Sequence, residues 1–343
     1  MKIDDFIEYE QPTNYIVHSD QYVENGNTPV LTAGQSFILG YTNEEDGIYT
    51  DFPAIIFDDF TTSVQYVDFS FKVKSSAMKI LKNKANANLK YCYYLLSWLQ
   101  KMPPNHKRQW ISTTSQINIC LPSLNEQSRI VEKIETVSNI IQMHKQELQN
   151  LDELVKARFV EMFSSVENNV LGLETIKIKN AFDLINGKAF KPEDWSDEGL
   201  PIVRIQNLNN EQAPFNYYAG EIKAQYLIDT GELLFSWSGT PGTSFGAFFW
   251  NRGKAVLNQH IFRVKPKIEV NLSFLQFALN GRIDYIISKA HGGVGLQHIT
   301  KKELDEVELL LPAIDLQNQF AVFVEQIDKS KFVKKIEQSE VLL

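Results

Sequence analysis

The sequence predicts an α+β protein with two pseudo-repeated β-rich units and two long helices that pair as an antiparallel coiled coil. Three observations lead to this prediction: a repeat that stays in register, heptad spacing of apolar residues after the first unit, and short buried-strand patterns inside each unit. The 343 residues also exceed what one ordinary hydrophobic core holds.

The repeat is visible in three pairs of segments. A shift of 190 residues places "LPSLNEQSRIVEKIETV" from Leu121 on "LPAIDLQNQFAVFVEQI" from Leu311, so that Gln127 falls on Gln317. A shift of 183 places "NLKYCYYLL" from Asn88 on "NLSFLQFAL" from Asn271, and a shift of 172 places "PVLT" on "PIVR". Shifts that grow along the chain are typical of one duplicated unit with loop insertions.

Each unit contains strand patterns followed by an amphipathic helix. "PAIIFDDF", "GELLFSWSG", "PIVRIQNL" and "AVLNQHIFRVKP" predict strands, and the segments beginning at Asn88 and Asn271 predict helices. "SWSGTPGTSFG" predicts a loop rich in short hydrogen-bond donors, although an ordinary hairpin connection has the same composition.

The segments after Pro122 and Pro312 predict the long helices, because their apolar residues recur in steps of three and four. The predicted boundaries are 1–123 for the first β-rich unit, 124–163 for a spacer helix, 164–312 for the second unit and 313–343 for a shorter distal helix. A long helix packed on its own domain is the alternative interpretation. The predicted packing residues are Ile130, Ile134, Val137, Ile141, Leu148, Leu151 and Val155 in the first helix, and Phe320, Val324 and Ile327 in the second.

The charge distribution favours nucleic acid despite the formal net charge of −8. Residues 72–108 carry nine Lys or Arg and no Asp or Glu, and residues 248–302 carry nine against Glu269 and Asp284. Basic stretches of this kind focus positive potential on one face, whereas a solvated surface is the alternative interpretation.

Composition and motifs exclude several other classes. Two cysteines cannot form a disulfide framework or a cysteine-built zinc site, so no metal site is predicted. The N-terminus lacks the apolar segment of a signal peptide, and the cytoplasm is the expected location. Glycine-rich phosphate loops and base-gripping methyltransferase motifs do not occur, and an acid and lysine at Glu221 and Lys223 are weak evidence for a nuclease.

Four segments appear in a fixed order after or around the two variable units: "LPSLNEQSRIVEKIE", "GKAFKPEDWSDEGLPIVRIQNLN", "GGVGLQHITKKELDEVELLLP" and "LPAIDLQNQFAVFVEQIDKSK". This order resembles the DNA specificity (S) subunit of Type I restriction-modification systems, the HsdS family. The resemblance covers essentially the whole chain.

The resemblance implies that each unit is a target recognition domain for one half of a bipartite, asymmetric sequence in double-stranded DNA. The helices then set the gap and dock two methyltransferase (M) subunits, and restriction/translocase (R) subunits complete the assembly. S-adenosylmethionine, ATP and magnesium belong to those partners, so this chain has no catalytic residues and no cofactor. A self-sufficient nuclease or methyltransferase and a non-specific coiled-coil scaffold are the alternatives. The overall acidity and the short distal helix lead us to expect weak DNA binding by the isolated chain and unequal M sites.

Candidate DNA contacts follow from residue type. Basic side chains and short hydroxyls position phosphates, whereas amides and loop hydroxyls read base edges. Trp237 is assigned to the core. In the first unit the candidates are Asp59, Thr61, Thr62, Lys72, Lys74, Ser75, Ser76, Lys79, Lys82, Lys107 and Arg108. In the second unit they are Gln206, Asn207, Ser236, Ser238, Thr240, Thr243, Ser244, Arg252, Lys254, Asn258, Gln259, Arg263, Lys289 and His291.

Overall fold

The computed structural model describes residues 1–32, 36–100, 107–293 and 297–341, with the side chains of the last helix described up to Glu337. The chain divides into two compact units, Met1–Gln142 and Met143–Leu343, here called the first and second unit. This division falls inside the predicted spacer helix, so the predicted domain boundaries stay a prediction. The α+β class is confirmed.

The first unit is built from short strands around one helix. Its strands are β1 (Ile7–Glu10), β2 (Thr28–Leu31), β3 (Ile38–Thr42), β4 (Ala54–Asp58), β5 (Val64–Val67), β6 (Lys72–Val73) and β7 (Met78–Asn83). Helix α1 spans Leu89–Leu99, and α2 spans Leu124–Phe163 and continues into the second unit. Short 3₁₀ turns cover Ile3–Asp5, Pro12–Tyr15 and Thr114–Gln116.

The second unit has more elements. Its strands are β8 (Thr175–Lys177), β9 (Phe182–Asn186), β10 (Leu200–Val203), β11 (Asn216–Tyr218), β12 (Leu227–Ile228), β13 (Glu232–Ser236), β14 (Ser238–Gly239), β15 (Gly246–Trp250), β16 (Ala255–Leu257), β17 (Ile261–Pro266), β18 (His291–Gly292), β19 (Gln297–His298) and β20 (Glu308–Leu310). Its helices are α3 (Ile178–Ala181), α4 (Ile205–Asn209), α5 (Leu272–Asn280), α6 (Ile283–Ser288), α7 (Lys301–Asp305) and α8 (Ile314–Val341), with 3₁₀ turns at Pro192–Asp194 and Ala224–Tyr226.

The two units repeat the same sheet topology. The main sheet of the first unit has the order β1-β7-β4-β5, and that of the second has β9-β17-β13-β15, with every pair antiparallel. In a second sheet, β2 pairs antiparallel with β3 and parallel with β6, as β10 does with β11 and β16. The duplication predicted from the growing shifts therefore corresponds to a repeated strand order.

Apolar side chains alternate along the central strand of each main sheet. Ile55 and Phe57 of β4 pack with the helix α1, whereas Ile56 packs toward the second sheet. Leu233 and Phe235 of β13 share a core with α5, whereas Leu234 packs with residues of the second sheet of that unit. A two-residue side-chain period that buries both faces explains why these strands were predictable from sequence.

Two predicted elements differ in detail. "PIVRIQNL" is a strand only to Val203, because α4 begins at Ile205. The second amphipathic helix breaks at Gly281 into α5 and α6.

Within the second unit, α2 and α8 run antiparallel. Lys334 pairs with Glu147 (3.2 Å), Lys331 pairs with Asp152 (2.6 Å), and Phe320 lies against Phe159 with ring centroids 5.3 Å apart. Residue numbers in these contacts increase along α2 while they decrease along α8, which establishes the antiparallel direction. Across the residues with assigned structure, each helix is too short or too polar to cross a bilayer.

Candidate nucleic-acid interface

In the second unit, one edge of the main sheet gathers polar loops. Strand register places Ser236 opposite Ile261 and Phe262 opposite Asn186, so β13, β17 and β9 all begin or end there. The loops attached to these strands leave the sheet together. We call this the second edge, defined by Asn186, Trp237, Asn258, Gln259 and His260.

Trp237 is the largest side chain of the second edge. Its ring stacks on Phe262 with centroids 5.5 Å apart, and its Nε1 donates to Asn186 Oδ1 at 3.3 Å. The side chain packs against the core yet stays partly exposed, which corrects its assignment as a plain core residue. A partly exposed indole that is fixed in place is suited to pack against a base or sugar.

Several polar atoms at the second edge have no hydrogen-bond partner. Gln259 Nε2 lies 3.2 Å from His260 Nε2, but His260 Nδ1, Ser236 Oγ and Gln297 Oε1 are buried and unpaired within the part of the chain that the structure describes. Burial, with a smaller contribution from His298, lowers the pKa of His260, so its imidazole is neutral at pH 7. Because buried polar atoms are normally paired, this concentration marks a candidate functional surface.

Lys188, which sequence analysis missed, lies beside this edge. Its backbone pairs with Asn258, and its Nζ lies 4.1 Å from the centroid of Tyr218 and 4.8 Å from that of Phe190. The ammonium group also donates to Tyr218 Oη at 3.0 Å. The two neighbouring aromatic rings, whose centroids are 5.1 Å apart, hold the ammonium group without neutralising its charge. The lysine occurs in the "GKAF" segment, where no charge cluster draws attention to it.

The corresponding edge of the first unit contains a charged cluster instead. Lys79 Nζ lies 3.2 Å from Asp59 Oδ2 and donates to Gln11 Oε1 at 3.0 Å. Both charged side chains are almost fully buried. We call Gln11, Asp59, Lys79 and Arg108 the first edge.

Asp59 organises the chain around itself. Its Oδ1 accepts from the backbone N–H of Gln109 at 3.0 Å and of Trp110 at 2.7 Å, and the exposed Arg108 has its Nε 4.0 Å from Oδ2. The prediction that Asp59 reads a base is therefore corrected, because its oxygens are buried and occupied. Lys107 and Arg108 are exposed, as phosphate contacts require.

The predicted hydroxyl readers of the first unit form the turn between β4 and β5. Thr61 Oγ1 donates to Asp58 Oδ2 at 2.7 Å, and Thr62 adopts a positive φ of 59°. Both are half-buried. The turn shapes the first edge, and its contact with DNA stays a prediction.

The basic stretch of the first unit divides into buried and exposed members. Lys72 is buried, with its Nζ 2.7 Å from Glu44 Oε2 and donating to Asp46 O, so the prediction of phosphate contacts by Lys72, and likewise by Lys79, is corrected. Lys82 is half-buried and pairs with Asp51 at 3.0 Å. Lys74 and Ser76 are exposed, and Ser75 Oγ accepts from Ala77 N.

His18, Glu44 and Asp46 also lie close enough together to hold a metal ion. Glu44, however, already accepts from His18 N and Ser19 N and pairs with Lys72. The lysine supplies the positive charge that a metal would bring, so this cluster fits an internal ion pair.

The predicted loop hydroxyls of the second unit lie between the end of β13 and the start of β15 and include Ser236, the last residue of β13. Thr240 and Thr243 are exposed, and Thr243 Oγ1 lies 3.5 Å from Ser244 Oγ. Ser236 and Ser238 are buried in strands, and β14 pairs Ser238 with His298. The prediction of direct base contacts is corrected for these two serines.

Arg252 and Asn207 serve the interior of the second unit. Arg252 donates to Asn207 O and lies 4.4 Å from the ring centroid of Trp250. The fully buried Asn207 accepts from Arg204 N at 3.0 Å. The predictions of a phosphate contact and an amide reader are corrected for this pair, whereas Gln206 is exposed.

The remaining basic candidates are dispersed. Arg263 pairs with Glu232 at the start of β13, the opposite end of that strand from the second edge. His291 Nε2 lies 2.6 Å from Glu303 Oε1, and Lys289 Nζ lies 5.4 Å from the ring centroid of Tyr285. Lys254 is exposed. The prediction of a phosphate contact by Arg263 is corrected, because Glu232 already balances the charge of its guanidinium group.

The helix-packing residues agree with prediction mainly in the second unit. Val155, Phe320, Val324 and Ile327 are buried in one cluster, against which Leu151 packs. Ile130 is 37% exposed, whereas its neighbour Val131 is buried. At this point the buried face of the helix is therefore shifted by one residue from the predicted packing residues. Ile134, Val137, Ile141 and Leu148 are half-buried.

Comparisons with known proteins agree with this duplicated architecture. The family model "Type I restriction modification DNA specificity domain" matches residues 1–153 and 171–340. The chain belongs to this family. It is thus a DNA-recognition subunit of a type I restriction-modification system and has no catalytic role of its own.

Curated relatives and solved structures extend the comparison. The chain is 29% identical to the Type I restriction enzyme EcoR124I/EcoR124II specificity subunit of Escherichia coli, over 96% of this chain and 86% of that one. It is 23% identical to the putative type I restriction enzyme MjaX specificity subunit of Methanocaldococcus jannaschii, over 77% and 68%. The crystal structure of a type I restriction-modification S subunit from M. genitalium has a TM-score of 0.61 at 16% identity, over 100% and 92%. A structure from a study of complex assembly and conformational transition of the type I system has a TM-score of 0.59 at 15% identity, over 99% and 93%.

Proposed function

We propose that the first and second edges each contact one half of a bipartite, asymmetric DNA target. The observation that carries this proposal is the repeated sheet, in which the same strand ends supply the loops of both edges. A duplicated scaffold with different side chains at equivalent positions is what an asymmetric target requires.

At the second edge, Trp237 packs against a base or sugar, while Asn258 and Gln259 provide amides for base edges. Lys188 provides a positive charge for phosphate. In the first unit, Arg108 of the first edge contacts phosphate together with Lys107 and Lys74, because their ammonium and guanidinium groups are exposed. The buried ion pair of Lys79 and Asp59 positions Arg108 and touches no DNA.

Helices α2 and α8 set the gap between the half sites and dock two M subunits. Support comes from apolar side chains on the outer face of α8: Phe332 is 66% exposed and Val333 52% exposed, beside a groove of about 520 Å³ that also contains Ala321. Exposed apolar side chains on a helix whose other face packs on α2 suit an apolar partner helix. R subunits complete the assembly in the cytoplasm, and S-adenosylmethionine, ATP and magnesium bind to the partner subunits and not to this chain.

Exchange of residues 164–312 for the corresponding segment of a relative with another target tests this proposal. Methylated adenines would be mapped in cells that express the chimera with its M subunits. We expect one half site to change while the other half site and the gap length are retained. A change in both half sites, or in neither, would contradict the assignment of one unit to one half site.

A further inference from the structure

The first turn of α2 carries a buried glutamine with a fully used amide. Gln127 is 0% exposed, and its Oε1 accepts from the backbone N–H of Asn88 at 2.7 Å. Its Nε2 donates to Pro122 O at 2.9 Å and to Asn86 O at 3.3 Å. Asn88 is the N-cap of α1, so one side chain ties the start of α2 to the start of the helix that packs on the main sheet.

The second unit repeats this connection at its own helix. Gln317 is 1% exposed, its Oε1 accepts from Asn271 N at 2.9 Å, and its Nε2 donates to Pro312 O at 2.8 Å. Asn271 is the N-cap of α5 and also donates from its Nδ2 to Asn318 Oδ1 at 2.9 Å. These residues correspond in the sequence repeat, which aligns Gln127 with Gln317 and Asn88 with Asn271.

A side chain at this position affects the angle between the unit and its long helix more than it affects the stability of the unit. The apolar contacts of each unit are spread over its sheets and helices. The amide instead fixes specific peptide groups at the first turn of a long helix, three for Gln127 and two for Gln317. Along a helix of 40 residues, a small angular error at its first turn grows into a displacement of several ångströms at its far end. Directional hydrogen bonds resist such rotation better than apolar packing does.

We propose that Gln127 and Gln317 are positioning residues that hold each recognition unit at a fixed angle on its helix, so that they determine the gap length accepted between the half sites. This inference rests on the proposed function, because it assumes that the helices set the gap. Neither amide contacts DNA, since both are enclosed. Their loss changes gap discrimination without changing which bases are recognised.

The test uses the chain assembled with its M subunits and DNA substrates whose gaps are one base pair shorter, correct, or one base pair longer. Gln127→Met and Gln317→Met remove the amide with little change in side-chain volume, and Gln149→Met changes an exposed glutamine of the same helix as a control. We expect the ratio of methylation rates on correct and altered gaps to fall about 10-fold in each variant, a modest loss for misplaced reacting groups. Discrimination against a base change inside either half site should match that of the unmodified chain.

Two results would overturn the inference. One is an unchanged gap profile in both folded variants, which would make the glutamines structural only. The other is a loss of half-site discrimination at an unchanged gap preference. If Gln127→Met prevents assembly, Gln317→Met alone decides, because its amide is an independent copy. A lack of gap preference in the unmodified complex would instead refute the proposed function.

Discussion

The residue that follows β4 in the first unit is Asp59, and the residue that follows β13 in the second unit is Trp237. Phe57 pairs with Lys79 as Phe235 pairs with Phe262, so these positions correspond by strand register. Lys79 contacts Gln11 in one unit, and Trp237 contacts Asn186 in the other. A buried ion pair and a stacked aromatic pair thus occupy the same place in two copies of one sheet.

This difference shows which part of the duplicated fold is constrained. The side chains that face the helix, Phe57 and Phe235, are the same residue type and lie in the main cores. The pairs at the edge differ in charge, size and polarity. Asp59 and Lys79 form an ion pair in the first unit, and Trp237 and Phe262 stack in the second. Each edge is therefore its own set of mutually dependent side chains on a core that the two units share, and the following experiments test that interpretation.

The largest expected effect is on the charged cluster of the first edge. Among the described residues, Lys79 is the closest and only buried cation beside Asp59. Lys79→Met therefore leaves the buried carboxylate of Asp59 without that partner, which should cost about 3 kcal/mol of unfolding free energy. Chemical denaturation measures this loss. The double variant Asp59→Asn with Lys79→Met should recover part of it, because both charges are removed.

Lys74→Met is the matched control for that experiment, since this exposed lysine lies in the same basic stretch. It should change stability by less than about 0.5 kcal/mol. Equal losses for Lys79→Met and Lys74→Met would show that the buried pair does not organise the first edge.

The aromatic pair of the second edge should matter for binding. Trp237→Ala removes the ring stacked on Phe262 and should weaken specific DNA binding by the complex about 30-fold, or about 2 kcal/mol, the magnitude typical of an aromatic residue central to an interface. Titration with target duplex measures it. Trp237→Phe keeps an aromatic face and should stay within about threefold of the unmodified complex. Unchanged affinity for Trp237→Ala would remove the indole from the interface.

The sequence predicted the duplication, the strands β4, β13 and β17 of the main sheets and the paired part of the helices, because each of these depends on periodicity along the chain. Val155, Phe320 and Val324 were assigned correctly for that reason. Ile130 was not, because the first turns of α2 bury Gln127 and Val131 instead. The start of α2 packs against the first unit and its later turns pack against α8, so one repeating set of positions does not describe the buried face of the whole helix.

The candidate site was less predictable, since a lysine in a basic stretch does not reveal its partner. Lys72 pairs with Glu44 and Lys79 with Asp59, both far away in the chain. Trp237 seemed a core residue by type, and only strand register brings it beside Asn186. Contacts across a sheet edge depend on tertiary structure, which residue counts do not contain.

Salt dependence should distinguish the chemistry of the two edges. Arg108→Ala removes an exposed charge at the first edge and should reduce the slope of log affinity against log salt by about 1, with a few-fold loss of affinity. Trp237→Ala should weaken binding with an unchanged slope, because an indole releases no counterions. Affinities measured between low and physiological salt provide both slopes. If Arg108→Ala leaves the slope unchanged, the arginine does not contact phosphate.

The smallest expected effect concerns His260 at the second edge. Burial lowers its pKa below the ordinary value of 6.5, so the unfolded chain binds a proton more readily than the folded one. The stability of the second unit should therefore be constant above pH 6.5 and should fall as the pH drops through 6.5. Denaturation curves at pH 7.5 and 5.5 measure the difference. His260→Gln should reduce it, whereas His18→Gln in the first unit should leave the second unit's profile unchanged, and an equal loss in all three proteins would place the titrating group elsewhere.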